Sequence, residues 1–167
     1  TLDPMATGLL LVGVGRATRL LRFLGELEKE YEGTARLGVE TDTLDADGEV
    51  VRTAEVEATE PQVREAMADL TGELEQRPPA YSAVKVGGRK LYEAARAGET
   101  LEAAPRPIRV DAFELVGLDG PDARFRVVCS AGTYVRVLAA DVGEALGCGA
   151  HLTRLRRTAI GPLRVGD

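Results

Sequence analysis

The chain is poor in the residues that carry most protein-bound chemistry. It has one histidine, His151, and two cysteines, Cys129 and Cys148. These do not cluster as metal ligands do, and one imidazole leaves no redundancy for a Ser-His-Asp triad. Two cysteines also make a poor disulfide framework. They read as reduced, packed thiols of a cytoplasmic protein, and His151 reads as a loop or half-buried residue. No apolar run approaches the ~20 residues that span a bilayer. The longest, Leu9 to Val14, has the length of a strand. No signal peptide is visible, but the first residue is Thr1, so a natural start is expected upstream.

Positive charge is scarce as well. The chain has 21 basic and 27 acidic side chains, a net charge of -6. That total argues against binding nucleic acid, which usually leaves a basic footprint. The charge is unevenly spread, however. Acids dominate from Glu26 to Glu75, whereas Arg77, Lys85, Arg89, Lys90, Arg96, Arg106 and Arg109 follow, and Arg154, Arg156, Arg157 and Arg164 crowd the end. The local field, not the sum, decides where a phosphate backbone can lie.

What is present suits one ordinary domain with a real core: 167 residues, 44% hydrophobic and 29% charged. Leu9 to Val14, bounded by Gly8 and Gly15, predicts a buried strand, and Arg16 to Leu24 predicts a helix burying Ala17, Leu20, Leu21 and Leu24. Glu30 to Leu37 alternates as a half-buried strand, with Tyr31, Gly33, Ala35 and Leu37 on one face. Thr41 to Gly48 is a polar loop, followed by a short strand from Glu49 to Thr53. Thr59 and Gln62 form a capping box for a helix burying Val63, Ala66, Met67 and Leu70, with Gly72 as its stop. Tyr81 to Val86 predicts a strand, Gly87-Gly88 a turn, and Lys90 to Ala97 a short helix. Gly98 to Pro107 has little to bury and predicts a mobile connection. Strands are expected at Ile108 to Leu118, Ala123 to Ser130 and Leu152 to Ile160. A helix is expected at Thr133 to Leu146, with Val137, Leu138, Val142 and Leu146 inward. Without regular βαβ alternation, repeat or linker, the class is α+β, with a mixed, largely antiparallel central sheet flanked by helices and loops.

Three motifs stand out. In Thr1-Leu-Asp-Pro-Met-Ala-Thr-Gly8, Pro4 drives Asp3 out of the helical region and Gly8 permits a sharp bend, which fixes a carboxylate beside a strand. Asp-Pro is equally an ordinary turn starter. Gly13-Val-Gly-Arg-Ala-Thr18 half-resembles a dinucleotide-binding turn, but Thr18 replaces the third glycine and no parallel βαβ unit follows. Gly132-Thr-Tyr-Val-Arg136 sets Tyr134 and Arg136 at a helix start, where an anion is favoured, or where Thr133 merely caps the helix.

The octapeptide resembles the catalytic loop of pseudouridine synthases of the TruB type, which modify the T-arm of transfer RNA. The resemblance continues in order along the chain. Glu30-Tyr31 with Ala35-Arg-Leu-Gly38 resembles the strand carrying that family's active-site tyrosine, and Thr41 to Gly48 resembles its next loop. Pro78-Pro-Ala-Tyr-Ser-Ala-Val-Lys85 with Gly88-Arg-Lys-Leu-Tyr92 is similar to its RNA-contacting segment. Cys129-Ser-Ala-Gly-Thr-Tyr-Val-Arg136 and Leu146 to Arg157 complete the set.

The resemblance implies a pseudouridine synthase fold over residues 1–167, with an RNA-contacting insertion near 79–107. It implies a fragment, because the family has a segment before this loop and an RNA-binding domain after the core. It implies isomerisation of uridine 55 of tRNA after base flipping, by a monomeric cytoplasmic enzyme with no cofactor, no metal and no membrane association. Asp3 would be the catalytic group, attacking C6 of the base or C1′ of the sugar, or removing a proton from C2′. Arg136 would pair with Asp3 and aim it. Tyr31 would stack on the uracil and accept the C5 proton, Tyr134 would hydrogen-bond near the Arg136–Asp3 pair, and Leu155 would keep the pocket dry. Arg19, Lys85, Arg89, Lys90 and Arg154 would contact phosphate. The rival readings are a tRNA-binding or tRNA-folding module without chemistry, and a nucleotide-cofactor domain around Gly13 and Gly15.

Overall fold

The computed structural model describes residues 2–166, so Thr1 of the octapeptide lies outside the described residues. In chain order the elements begin with β1 (Thr7–Gly8), a 3₁₀ helix (Gly15–Leu20), α1 (Leu21–Gly25), β2 (Lys29–Leu37), β3 (Val39–Thr41) and β4 (Val50–Thr53). Next come α2 (Glu60–Asp69), β5 (Gly72–Gln76), β6 (Lys85–Val86), β7 (Arg89–Lys90) and α3 (Leu91–Arg96). The chain continues through β8 (Arg106–Asp119), β9 (Asp122–Cys129), α4 (Val135–Ala145), β10 (Ala150–Ile160) and β11 (Leu163–Arg164). The central sheet runs β1-β10-β2-β9-β8-β5, with β11 also on β10. Its pairings are antiparallel except β1 with β10, so the sheet is mixed and largely antiparallel, and the fold is α+β. No helix among the described residues is long and apolar enough to cross a membrane.

The two-residue period of the strands divides the sheet into a covered and an open face. Tyr31, Ala35 and Leu37 of β2 stand with Phe125 and Val127 of β9 on the covered face, under Val63 and Met67 of α2 and Leu138 and Val142 of α4. Gly33 lies opposite Phe125, where a Cβ would collide with the ring. Phe113 meets Phe125 edge to face at 5.2 Å.

Several expected elements differ. Leu9 to Val14 is not a buried strand: only Thr7–Gly8 pairs with β10, and Leu10, Val12 and Val14 are 55%, 77% and 80% exposed. The pairing ends at Leu9, whose N–H donates to Arg157 O at 2.9 Å and whose carbonyl accepts from Arg157 Nε at 2.8 Å. Past it, β11 occupies the edge of β10 at Ala159 and Ile160, so the apolar run finds no strand to pair with. The helix expected from Arg16 is a 3₁₀ turn followed by five α-helical residues, with Leu21 and Leu24 half-buried and Ala17 and Leu20 exposed. Only Lys85–Val86 of the strand expected from Tyr81 forms. Upstream, Arg136 takes the carbonyl of Tyr81 and the Tyr92 N–H that of Ser82, so neither carbonyl is free for a ladder. The helix expected from Thr133 begins at Val135, and Val137 is only half-buried. Thr133 is not its cap; Gln76 holds the helix start through its side-chain carbonyl to the Tyr134 N–H at 2.8 Å. His151 is buried in β10, its Nδ1 2.8 Å from Val39 O. The connection after Gly98 does bury something, Ala103, and its Glu99 and Glu102 pair with Arg89 and Arg77.

Candidate functional site

The Asp3 loop is fastened to β10 on its C-terminal side. Past Pro4, the Ala6 N–H donates to Asp3 O at 2.9 Å and closes the turn. The Thr7 hydroxyl donates to Leu155 O at 3.4 Å, and Thr7 and Gly8 pair with Arg156 and Arg157. Gly8 sits at φ +99°, so close to the Arg157 backbone that no Cβ would fit. A side chain there would lift the loop off the strand and move Asp3 with it.

Asp3 faces Arg136 near the N-terminus of α4, with Oδ2 3.5 Å from Nε. The Asp3 side chain is 29% exposed and that of Arg136 only 6%. The guanidinium is held from behind. Nη2 donates to Tyr81 O at 2.7 Å, and Nη1 donates to Thr43 O at 3.2 Å and lies 3.5 Å from Asp45 Oδ2. Nε, the nitrogen that faces Asp3, makes no hydrogen bond among the described residues. The arginine is therefore immobilised while its Asp3 side stays open to a small closing movement of the carboxylate. Tyr134 brings its ring to 5.8 Å from the same guanidinium.

Asp3, Tyr31, Tyr134 and Leu155 line one cavity of about 420 Å³, together with Lys29, Leu21 and Arg157. Tyr31 is 8% exposed; burial pushes its phenol pKa up, and the adjacent Arg157 guanidinium opposes that shift. Burial lowers the Lys29 pKa, with Arg157 adding to the effect, and its ammonium donates to Gly25 O and Leu27 O. Cys129 is buried and its thiol is pushed up to about 11. Among the described residues no group of three or more His, Cys, Asp or Glu is placed to hold a metal ion.

The expected basic residues do not gather here. Arg19 is exposed on the 3₁₀ helix. Lys85, Arg89 and Lys90 belong to the small β6–β7 hairpin, where Arg89 pairs with Glu99 at 2.7 Å and Lys90 lies 3.6 Å from Glu93. Arg154 stands on the open face of the sheet.

Two residues of the site were not singled out from the sequence. Asp45 is buried, and its carboxylate accepts from the Thr43 hydroxyl at 2.6 Å and the Asp47 N–H at 3.1 Å. The preceding Leu44 has a φ of +64°, a conformation that costs a non-glycine residue of order 1 kcal/mol. It is held there by the Leu152 N–H on its carbonyl at 3.0 Å. Nothing in Thr41-Asp-Thr-Leu-Asp-Ala-Asp-Gly48 marks the middle aspartate as the buried one. Arg157 did carry a signal: in a strand of period two it shares the face of Leu155, opposite to Arg154 and Arg156.

Family comparisons agree along the whole chain. The TruB family pseudouridylate synthase (N terminal domain) matches residues 1–135, and the tRNA pseudouridylate synthase B C-terminal domain matches residues 136–167. The tRNA pseudouridine synthase B of Aromatoleum aromaticum is 55% identical over 167 residues, covering 100% of this chain and 54% of that protein. That of Opitutus terrae is 52% identical over 168 residues, covering 100% of this chain and 70% of its own. The chain thus spans about half the length of the first of these relatives. A solved Cbf5-Nop10-Gar1 complex contains a chain that superposes with a TM-score of 0.72 at 34% identity, over 99% of this chain and 40% of that one.

Proposed function

The chain belongs to the TruB family of pseudouridylate synthases, and from that premise we propose that it converts a uridine in the T-arm of tRNA, position 55, to pseudouridine. The observation that carries the proposal is Asp3 on a clamped loop facing a buried Arg136, beside a cavity walled by Tyr31, Tyr134 and Leu155. A module that only binds or folds tRNA has no use for a carboxylate paired in this way.

In the reaction the C1′–N1 bond breaks and a C1′–C5 bond forms, C5 loses a proton and N1 gains one. No electrons leave, so side chains suffice. The base must first be flipped out of folded RNA, at a cost of roughly a few kcal/mol. Stacking on the Tyr31 ring and apolar contact with Leu155 offset part of that cost and exclude water. Asp3 acts on the ribose or on the ring, with Arg136 aiming it. Burial keeps the Tyr31 phenol protonated, so it can accept the C5 proton only as its own hydroxyl proton leaves to solvent, and the proton that N1 gains is taken up from solvent in turn. Arg157 at the hydroxyl eases that loss. Tyr134, its ring 5.8 Å from the guanidinium, hydrogen-bonds near the Arg136–Asp3 pair. Arg19, Lys85, Arg89, Lys90 and Arg154 contact phosphate, and 79–107 acts as an RNA-contacting insertion in one catalytic domain of a cytoplasmic monomer.

The test incubates T-arm RNA with the protein and reads conversion with a chemical label specific for pseudouridine. Wild type should convert one uridine. Asp3→Asn should convert none while binding RNA within about tenfold of wild type, because the carboxylate does chemistry and not anchoring. Substantial turnover by that variant removes Asp3 from its role.

A further inference from the structure

The open face of the sheet is densely charged, and most of its charges are matched. Arg36 of β2 pairs with Asp122 through two hydrogen bonds of 2.8 Å. Arg126 of β9 lies between Glu30 and Glu114, and Arg164 reaches Glu30 as well. Three arginines on this face are different. Arg124, Arg154 and Arg156 are exposed, and none forms an ion pair with a described residue.

These three surround one groove of about 570 Å³, together with Met5, Thr7 and Val116. The strand register explains the grouping. Thr34 of β2 is flanked by Arg154 of β10 on one side and Arg124 of β9 on the other. The two arginines therefore stand two strand spacings apart, roughly 10 Å. Arg156 follows on β10 opposite Glu32, the one acidic residue in the groove. Two positive charges are left in excess at this spot, on a chain whose net charge is -6.

The groove is also next to the cavity that holds Asp3. Leu155 lines both hollows. So does the octapeptide loop, with Leu2 and Asp3 in the cavity and Met5 and Thr7 in the groove. The loop and Leu155 form the partition between the two. A polymer that places one unit in the cavity must send its neighbours over the rim, and on this side the rim leads to three exposed arginines that outnumber the one acidic residue lining the groove.

We propose that the groove of Arg124, Arg154 and Arg156 carries the phosphate backbone of the substrate RNA strand next to the flipped uridine. This deepens the reading given above and rests on it. The guanidinium forks suit phosphate oxygens, and the exposed Val116 with the half-buried Met5 gives the ribose an apolar surface. The face carries affinity and alignment, not base sequence.

The experiment measures binding of a T-arm stem-loop transcript to the protein by fluorescence anisotropy between about 50 and 200 mM salt. Arg124→Gln, Arg154→Gln and Arg156→Gln should each flatten the slope of log K against log salt by about 1, and together by about 2–3. The triple variant should lose roughly 10–100-fold in affinity near 0.1 M salt. Arg64→Gln, a surface arginine of α2 paired with Glu60, removes the same charge away from the groove and should change neither quantity. A triple variant with the wild-type affinity and slope overturns the proposal. So does Arg64→Gln if it flattens the slope as much as a groove variant, because the effect would then be net charge alone. Pseudouridine labelling of the same samples separates the two claims. Arginine-dependent binding without conversion by wild type supports the groove and refutes the proposed reaction; conversion with an unchanged slope does the reverse.

Discussion

Replacing Arg136 with methionine should damage the protein twice, and the two effects are separable. The first is stability. Arg136 and Asp45 have side chains 6% exposed, with the Nη1–Oδ2 distance 3.5 Å. Removing the cation leaves a buried carboxylate with hydroxyl and amide donors only, and two backbone carbonyls, Thr43 O and Tyr81 O, without their donor. Breaking a buried pair from one side typically costs about 3–5 kcal/mol. For a chain of this size that lowers Tm by roughly 6–20 °C. The second effect is loss of the group that aims Asp3. Adding Asp45→Asn removes the orphaned charge, so the double variant should regain at least ~1 kcal/mol over Arg136→Met and still make no pseudouridine. Urea titration of the four proteins of this cycle gives the coupling directly. If Arg136→Met costs less than about 1 kcal/mol, or if Asp45→Asn simply adds its own full cost, the two charges do not depend on each other and the account of the buried arginine is wrong.

Tyr31→Phe should bind RNA nearly normally but turn over very slowly at saturating protein, because stacking worth roughly 1–3 kcal/mol survives and the hydroxyl does not; a wild-type single-turnover rate would reduce Tyr31 to a stacking platform. Asp141 should be a pH-dependent liability: burial, with a smaller push from Glu144, raises its pKa from 3.8 to about 6. The unfolded chain therefore releases this proton first as pH rises, and the folded state loses stability between about pH 4 and 6, with the full penalty above that window. Asp141→Asn should raise Tm at pH 7 and leave it unchanged near pH 3.5; an equal change at both would show that ionisation is not the cause. In the segment from Arg89 to Arg106, amide exchange should be slow at Leu91 and Tyr92, whose N–H groups donate to Val84 O and Ser82 O, and fast at Thr100 to Glu102 until RNA is added. Slow exchange at Thr100 to Glu102 in the free protein, unchanged by RNA, would contradict this.

Local pattern revealed those elements whose partners come from the sheet itself. The alternation of Tyr31, Gly33, Ala35 and Leu37 predicted a half-buried strand, and β2 is central, between β10 and β9. The capping box at Thr59 and Gln62 marked a helix start because capping is a local exchange: the Gln62 side chain accepts the Thr59 N–H at 2.9 Å. Leu9 to Val14 misled because an apolar run reports only a tendency to be buried. Whether it is buried depends on a free strand edge, and β11 takes the edge that this run would need. Strand β5 went unremarked for a related reason. Gly72-Glu-Leu-Glu-Gln76 offers little to bury and forms because β8 lies alongside it.

The same division runs through the candidate site. Asp3 was legible because Pro4 and Gly8 restrict the backbone around it, and restricted backbone can be read from residue type. Arg136 was legible as a charge at a helix start, but its burial was not, since that depends on Tyr81 and on Thr43 and Asp45, which are distant in sequence. Among Asp42, Asp45 and Asp47, the chemistry of the side chain is identical, and only the parallel bridge from Asp45 to Leu152 turns one of them inward. Arg157 could have been separated from Arg154 and Arg156 by counting along the strand. The period that puts Leu155 at the cavity must put Arg157 there as well, and must turn the other two to the opposite face, where the groove collects them. A run of basic residues in a strand is thus two different surfaces, one serving the buried phenol of Tyr31 and the other left facing solvent.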